Sequence, residues 1–154
     1  MKIICIGRNY NNHVLELGNE KPQEIMFFLK PETAIPQQKQ PFFIPDFSSD
    51  IHHEIEIVIK INKTGKHIQK KFAHTYYDEL TLGIDFTARD VQEKLKKQGQ
   101  PWEKAKSFDG SAPIGKFIQK HTIRNMDDID FKLLVNNKMR QSGNVKNMIF
   151  SINE

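Results

Sequence analysis

Several features that mark other classes of protein are scarce or missing in this sequence. One cysteine, Cys5, among 154 residues excludes an intramolecular disulfide framework and favours a reducing compartment. The apolar start at residues 3–6 is too short for a signal peptide, and no run approaches the roughly 18 apolar residues of a membrane span. We therefore expect a cytoplasmic protein with no membrane partner, in which Cys5 lies in the core rather than acting as a nucleophile.

Basic residues outnumber acidic ones, but they do not cluster. The chain has 23 Lys and Arg against 19 Asp and Glu, a formal net charge of +4. Because no basic stripe alternates with aromatic side chains, we expect no nucleic-acid partner. A positive balance is compatible with a small anionic substrate.

No internal repeat or low-complexity tract divides the chain. A hydrophobic content of 38% over 154 residues fits one globular domain with a sizeable core. The hydrophobic pattern predicts strands at residues 2–6, 25–30, 54–61 and 80–86, and a hairpin over 131–142 that turns at Asn136-Asn137. We therefore predict a single α+β, mostly β domain covering residues 1–154.

Two helices are expected among these strands. Thr87 and Asp90 have the Thr-x-x-Asp spacing of a capping box, so one helix should begin after Thr87 and close near Gly99. A second helical pattern opens after Gly143, with Met148, Ile149 and Ile152 as its apolar positions.

Two carboxylates share one face of a predicted strand. Alternate residues of a strand point to the same side, so Glu54 and Glu56 lie close enough to repel each other unless a cation sits between them. Oxygen ligands without a partnering cysteine favour Mg²⁺ or Mn²⁺, with Ca²⁺ as a further possibility. A solvated edge strand is the plainer interpretation, and a zinc site at His52 and His53 is an alternative that lacks the usual ligand spacing elsewhere.

Polar residues follow the next predicted strand. Asp85 alone is typical of a turn, but Arg89 and Gln92 are three apart on the predicted helix and so share a face near Asp85. An arginine fork beside a metal is suited to binding a carboxylate, although a surface salt bridge would also explain Arg89. The aperiodic stretch 101–115 is typical of loops that form sites.

Five ordered motifs give the chain a resemblance to a known family. They are Gly7-Arg8-Asn9-Tyr10-x-x-His13-x-x-Glu16, Phe28-x-Lys30-Pro31-x-Thr33-Ala34, His53-Glu54-x-Glu56, Gly83-x-Asp85-x-Thr87-Ala88-Arg89-Asp90-x-Gln92 and Ala105-Lys106-x-Phe108-Asp109. In this order they resemble the fumarylacetoacetate hydrolase family, and within it the short single-domain acylpyruvase type. The resemblance implies a mixed-β roll that assembles as a homodimer.

The resemblance also implies a role for each matching residue. The metal ligands would be Glu54, Glu56 and Asp85, the water-activating dyad His13 and Glu16, and the substrate-contacting groups Lys106, Arg89 and Gln92, with Arg8 and Lys30 near the substrate. A bound metal would hold the carboxylate and the 2-oxo oxygen of an acylpyruvate. His13 would then activate water for C–C cleavage, and Lys106 would stabilise the pyruvate enolate.

Alternatives to hydrolysis remain open at this point. Tautomerisation or decarboxylation of oxaloacetate, and isomerisation of a dienoic diacid, use the same enolate without attack by water. Family members also continue beyond the equivalent of Glu154 with further strands and a Thr-Gly-Thr-Pro type loop, which this sequence does not contain. We therefore expect the domain to be C-terminally incomplete, with residues 143–154 poorly packed or covered by another chain, and an inactive metal-binding domain is a further alternative.

Overall fold

The computed structural model describes residues 1–11, 21–37 and 40–154. By their internal packing these residues belong to two compact units. The first unit comprises Met1–Gly7, Phe27–Glu56 and Gly83–Gly115, and the second comprises Arg8–Met26, Ile57–Leu82 and Lys116–Glu154. The expectation of one domain over residues 1–154 stays a prediction.

The chain begins with a two-stranded sheet formed by β1 (Ile3–Gly7) and β2 (Met26–Lys30). β2 ends where Pro31 follows, as predicted, because proline cannot donate a ladder hydrogen bond. β1 is exposed on one side at Ile4 and Ile6, although its continuous apolar sequence is typical of a buried strand. Cys5, on the other side, is half-buried, and burial raises the pKa of its thiol to about 12. The thiol is therefore protonated at neutral pH, which agrees with a packing role.

Two long strands form most of the largest sheet. β3 (Ile51–Ile61) and β4 (Tyr77–Ala88) form a sheet with the short β5 (Ile118–Gln119), in the order β3-β4-β5. β4 and β5 are antiparallel, with Leu80 opposite Ile118. Both long strands were predicted from their hydrophobic pattern, and the α+β, mostly β class is confirmed.

The helices of the first unit follow β4. They are α1 (Arg89–Lys97) and α2 (Glu103–Lys106), and Gly99, with a φ of 62°, closes α1 as predicted. Neither they nor any other helix in the described residues has the length and apolar content needed to span a membrane. Leu95 of α1 packs with Ala88 and Ala105 in a buried cluster.

The capping box predicted at the start of α1 is absent from the structure. Ala88 occupies the N-cap position, and no side chain caps the helix there. Asp90 instead accepts hydrogen bonds from the Ser48 hydroxyl at 2.6 Å and the Ser49 backbone N–H at 3.1 Å. Thr87 is completely buried and its hydroxyl has a tertiary partner, which is described below.

The second unit contains the predicted hairpin. β6 (Asp130–Val135) and β7 (Lys138–Asn144) are antiparallel and meet at a tight turn. Asn136 and Asn137 have φ values of 51° and 61°, the left-handed conformation that asparagine tolerates in hairpin turns. The prediction of a hairpin turning at this pair is confirmed.

The helix predicted after Gly143 does not form. A 3-10 turn at Val145–Asn147 is followed by non-helical backbone, and Met148, Ile149 and Ile152 are half-buried. The Ile149 N–H donates to the Asn9 carbonyl at 2.8 Å, and the Phe150 N–H donates to the Asn9 Oδ1 at 2.8 Å. These bonds use backbone donors that a helix would need, so pairing with residues distant in sequence outweighs the local helical pattern.

Gly143 lies directly opposite Phe131 in the β6–β7 hairpin. A Cβ at position 143 would lie 2.6 Å from Cζ of the buried Phe131 ring, which also packs edge-on against Tyr10. We expect Gly143→Ala to destabilise the protein by about 1–3 kcal/mol, because the ring has little room to move. Denaturant unfolding measures this, with the exposed neighbour Ser142→Ala as control. Equal midpoints for the two variants would show that the ring is free to shift.

Candidate active site

Ionisable side chains from five elements of the first unit meet in its interior. Their positions follow from strand geometry, because alternate residues of a strand point to the same face. Glu54 and Glu56 therefore share a face of β3, and Asp85 and Thr87 share a face of β4. The helices and the end of β2 add cationic and amide groups. The contributing residues are Lys30 from β2, Glu54 and Glu56 from β3, Asp85 and Thr87 from β4, Arg89 and Gln92 from α1, and Lys106 from α2.

The ammonium group of Lys106 is the centre of this cluster. Its Nζ donates to Glu54 Oε2 at 2.8 Å, Asp85 Oδ2 at 2.6 Å and Thr87 Oγ1 at 2.6 Å. The side chain is only 4% exposed, and the Phe28 ring centroid lies 5.0 Å from Nζ. All three ammonium protons therefore have protein acceptors, and two of those acceptors are carboxylates.

Glu54 is held from its other side by α1. Its Oε1 forms an ion pair with the Arg89 guanidinium, whose second terminal nitrogen donates to Gln92 Oε1 at 2.5 Å. Arg89 and Gln92 share a helix face, as predicted, and both are buried, so the surface salt bridge considered for Arg89 does not apply. The Arg89 Nε is buried and without a hydrogen-bond partner among the described residues, so one donor of the guanidinium is unused.

Lys30 lies on the opposite side of Asp85 from Lys106. Its Nζ is 2.8 Å from Asp85 Oδ1, an ion pair whose geometry falls short of a hydrogen bond. The ammonium donates instead to the carbonyls of Phe86 at 3.2 Å and Ser111 at 2.9 Å, and to the Ser111 hydroxyl at 3.0 Å. With its side chain 1% exposed, Lys30 is fully engaged by protein groups.

The ion pairs of the cluster shift the pKa values of Glu54 and Lys106 toward their charged forms, against the effect of burial. Burial alone would raise the pKa of Glu54, but Lys106 and Arg89 outweigh it and hold that pKa at about 2. Burial likewise opposes the charge on Lys106, yet Asp85 and Glu54 raise its pKa above the ordinary value. Glu54 is thus a carboxylate and Lys106 an ammonium ion at neutral pH.

Glu56 differs from the other two carboxylates because no cation of the described residues forms an ion pair with it. Within the described part of the chain it makes no hydrogen bond or ion pair. Burial, together with the charges of Asp85 and Glu54, raises its pKa to about 8. An additional positive charge beside Glu56 would therefore be strongly favoured.

The carboxylate oxygens of Glu54, Glu56 and Asp85 are the type of ligand that a hard divalent cation prefers, but they are not arranged around a common point. Across residues 1–11, 21–37 and 40–154, no three His, Cys, Asp or Glu side chains are placed to hold an ion together. Lys106 accounts for this, since its ammonium bridges the Glu54 and Asp85 oxygens that an ion would use. The all-oxygen donors, and a Glu56 without an ion-pair partner in these ranges, still match Mg²⁺ or Mn²⁺. Metal binding at Glu54, Glu56 and Asp85 stays a prediction.

The remaining predicted site residues have mixed outcomes. His13 and Glu16 lie outside the described residues. Arg8, which follows β1 with a φ of 57°, belongs to the second unit. Lys106, predicted to contact substrate, lies buried in the cluster, and its contact with substrate stays a prediction.

Sequence reasoning missed two hydroxyl groups in the cluster. Thr87 was interpreted as a helix cap, although its position two residues after Asp85 on a strand could have placed both side chains on one face. Ser111 is completely buried beside Lys30, and no local pattern in the loop around it signals a partner.

Such an arrangement can stabilise negative charge. Buried, pre-oriented cations act more strongly on a developing oxyanion than they would in water, because the surroundings need no reorganisation. The cluster sets Glu54 and Asp85 against three cations, Lys30, Arg89 and Lys106, while Glu56, with its pKa raised to about 8, is mostly protonated at neutral pH. The ion pairs among these groups explain how so many charges are tolerated in the interior.

Comparison with known proteins places these residues in a defined context. Residues 2–154 match the family described as Fumarylacetoacetate (FAA) hydrolase C-terminal. Oxaloacetate tautomerase FAHD1, mitochondrial, of Bos taurus is 39% identical over 97% of this chain and 68% of its own length. Oxaloacetate decarboxylase, mitochondrial, of Dictyostelium discoideum is 42% identical over 98% of this chain and 70% of its own length.

A solved structure gives the same result at the level of the fold. The fumarylpyruvate hydrolase of Pseudomonas aeruginosa, crystallised with Mn²⁺ and pyruvate, superposes with a TM-score of 0.91 at 31% identity. The match covers 100% of this chain and 68% of that chain. The fold predicted from the resemblance is confirmed.

Asp85 is the carboxylate that two buried ammonium groups share, so its charge should matter for stability. We expect Asp85→Asn, measured with chelator present, to cost about 3–5 kcal/mol, because Lys30 and Lys106 would each lose a buried counter-ion. The control is Glu79→Gln, which breaks the exposed ion pair with Lys60 and should cost less than about 1 kcal/mol. Similar losses in the two variants would contradict the assigned role of Asp85.

Proposed function

Because the chain belongs to the fumarylacetoacetate hydrolase family, we propose that it catalyses the keto–enol interconversion of oxaloacetate. The observation that carries the proposal is the buried ammonium of Lys106, fixed among Glu54, Asp85 and Thr87. Relatives named as oxaloacetate tautomerase and oxaloacetate decarboxylase support this substrate. The hydrolysis of acylpyruvates predicted first from the sequence becomes the second candidate.

The proposed reaction is an isomerisation that needs one charge-stabilising group and one proton carrier. A proton leaves C3 of the keto acid, its electron pair forms the C2–C3 double bond, and the oxygen on C2 takes up a proton. No water is consumed and no carbon–carbon bond breaks. The transition state concentrates negative charge on the C2 oxygen, which a buried cation stabilises.

Each described residue has a definite part in this proposal. Lys106 supplies the positive charge near the C2 oxygen, while Glu54 and Asp85 keep its amine protonated. Arg89 and Gln92 fix Glu54 on its far side rather than gripping substrate directly. His13, oriented by Glu16, remains the predicted group that moves the proton at C3.

Charge balance favours a substrate with two negative charges. With Glu56 deprotonated by a bound ion, the charges of the three carboxylates and the three cations of the cluster would cancel. A divalent ion bound by Glu54, Glu56 and Asp85 would supply two further positive charges and coordination positions for substrate oxygens. Oxaloacetate, a dianion at neutral pH, would neutralise that excess, whereas a simple acylpyruvate carries a single charge.

Hydrolysis of a C–C bond in a 2,4-dioxo acid stays a second candidate. The structural similarity to a fumarylpyruvate hydrolase that contains Mn²⁺ and pyruvate favours it. Both reactions pass through an enolate, so Lys106 would serve either one. They differ in the need for an activated water, which is the role predicted for His13 and Glu16.

Two further expectations stay predictions. A homodimer follows from the resemblance, and its mass in solution is directly measurable. The cytoplasmic location predicted from the sequence is also open, since the relatives from Bos taurus and Dictyostelium discoideum are named as mitochondrial proteins.

Replacing Lys106 tests the proposed reaction. With Mn²⁺ present, we expect Lys106→Met to slow the interconversion of oxaloacetate by about 10²–10³-fold, because a preorganised positive charge is lost at the enolate oxygen. The rate is followed through the ultraviolet absorbance of the enol. His13→Ala should cause a comparable loss, while Lys104→Met, an exposed neighbour on α2, serves as the matched control.

The same samples distinguish the two candidate reactions. Assays of acylpyruvate cleavage and of CO₂ release from oxaloacetate run alongside the tautomerisation assay. Faster turnover of an acylpyruvate than of oxaloacetate would replace the proposed function with hydrolysis. Because Lys106 is buried, its replacement should also lower the melting temperature, so rates are compared at a temperature where both variants are folded.

Glu56 provides the test of metal binding. We expect Glu56→Gln to weaken Mn²⁺ binding at least about tenfold in calorimetry, since it removes the carboxylate of the cluster that has no cationic partner among the described residues. In chelator the variant should be no less stable than the wild type at pH 7, because an amide avoids the cost of burying this group. Unchanged affinity, with Glu79→Gln as control, would remove Glu56 from the proposed ligand set.

A further inference from the structure

The Ser111 hydroxyl links the two buried lysines of the site. It is completely buried, accepts a hydrogen bond from Lys30 Nζ at 3.0 Å and donates to the Lys106 backbone carbonyl at 2.8 Å. The Ser111 carbonyl accepts a further bond from Lys30 Nζ at 2.9 Å. A single serine is thus bonded both to one ammonium group and to the main chain of the other lysine.

These bonds belong to a closed ring of contacts that begins and ends at Lys106. The ring runs from the Lys106 carbonyl to Ser111, then to Lys30, and from Lys30 Nζ to Asp85 Oδ1 at 2.8 Å. It closes where Lys106 Nζ donates to Asp85 Oδ2 at 2.6 Å. The Asp85 carboxylate is therefore connected to Lys106 twice, directly through the ammonium group and indirectly through the backbone carbonyl.

The hydrogen bond from Ser111 to the end of α2 makes the hydroxyl hard to replace. Lys106 is the last residue of this helix, where carbonyl groups lack partners within the helix. Ser111 supplies the donor for that carbonyl and so fixes the backbone from which the Lys106 side chain extends. Without the hydroxyl, Lys30 would lose one acceptor and the helix end would lose its donor.

We propose that Ser111 is a positioning residue, which sets the place of the Lys106 ammonium through Lys30 and Asp85. The inference rests on the proposed function, because Lys106 acts there on the C2 oxygen of the substrate. Ser111 itself does not contact the reacting atoms. A displacement of a catalytic group by about 1 Å is enough to lower a rate by about 100-fold, so the loss of this ring should be seen in turnover.

The matched control is a second serine of the same loop. The Ser107 hydroxyl also donates to a main-chain carbonyl, that of Leu29 at 2.6 Å. Its side chain takes no part in the ring of contacts around Lys106. Ser107→Ala and Ser111→Ala therefore each delete one hydrogen bond to a carbonyl. Ser111→Ala alone removes an acceptor of a buried ammonium group.

Steady-state kinetics with oxaloacetate and Mn²⁺ provide the first measurement. We expect Ser111→Ala to lower kcat by about 10- to 100-fold with KM changed less than about twofold, and Ser107→Ala to leave both near the wild-type values. Ser111→Cys keeps a similar volume and a weaker donor, so its kcat should lie between those of Ser111→Ala and Ser107→Ala. Equal kcat values for the two alanine variants would overturn the proposal, as would a loss confined to KM.

Nuclear magnetic resonance of ¹⁵Nζ-labelled lysines provides the second measurement and needs no substrate. The Lys106 ammonium signal, identified by its loss in Lys106→Met, should shift and exchange its protons faster in Ser111→Ala than in Ser107→Ala. An unchanged signal would overturn the positioning role. If the wild type does not turn over oxaloacetate, the proposed function fails, while this signal still decides the role of Ser111. If Ser111→Ala does not fold, the comparison uses Ser111→Cys against Ser107→Cys under the same criteria.

Discussion

The ion pairs of Lys106 with the buried Asp85 and the partly buried Glu54 are the interaction on which the site depends. A buried charge is tolerated only when it is paired and hydrogen-bonded, and here one ammonium group satisfies Glu54 and Asp85 together. This requirement draws α2 against β3 and β4. Lys30 and Arg89 complete the pairing on the outer oxygens of the same carboxylates, so neighbouring elements are fixed by charge as well as by apolar packing.

Much of this site could be predicted from the sequence, because strand alternation and ordered motifs specify which side chains share a face. Glu54 and Asp85 were assigned to one site in this way, and the structure brings them to a common partner. What the motifs could not reveal is the function of Thr87 within its own motif. The Thr-x-x-Asp spacing is common to helix caps and to this strand end, and only the approach of Lys106, 19 residues later, distinguishes them.

Hydrogen bonding between distant residues also explains the main error in the fold prediction, the helix expected after Gly143. The apolar spacing of Met148, Ile149 and Ile152 is compatible with a helix, but Phe150 bonds to Asn9, 141 residues earlier in the chain. Local periodicity reports which residues prefer burial and gives no information on which distant backbone will offer hydrogen bonds. The Asn136-Asn137 turn was predictable for the opposite reason, because its left-handed conformation is set by the two residues themselves.

The polar interior is better explained by function than by stability. Well-packed apolar residues can replace a buried ion network with little loss of stability, or even a gain, so the network is weak evidence for a structural purpose. Its value lies in holding a protonated amine where water is largely excluded, since a charge so placed acts on a developing oxyanion without reorganisation. On the proposed function, residues that hold Lys106 in place matter as well as residues that contact substrate. Thr87 satisfies the third proton of Lys106, and Ser111 anchors the helix end that carries it.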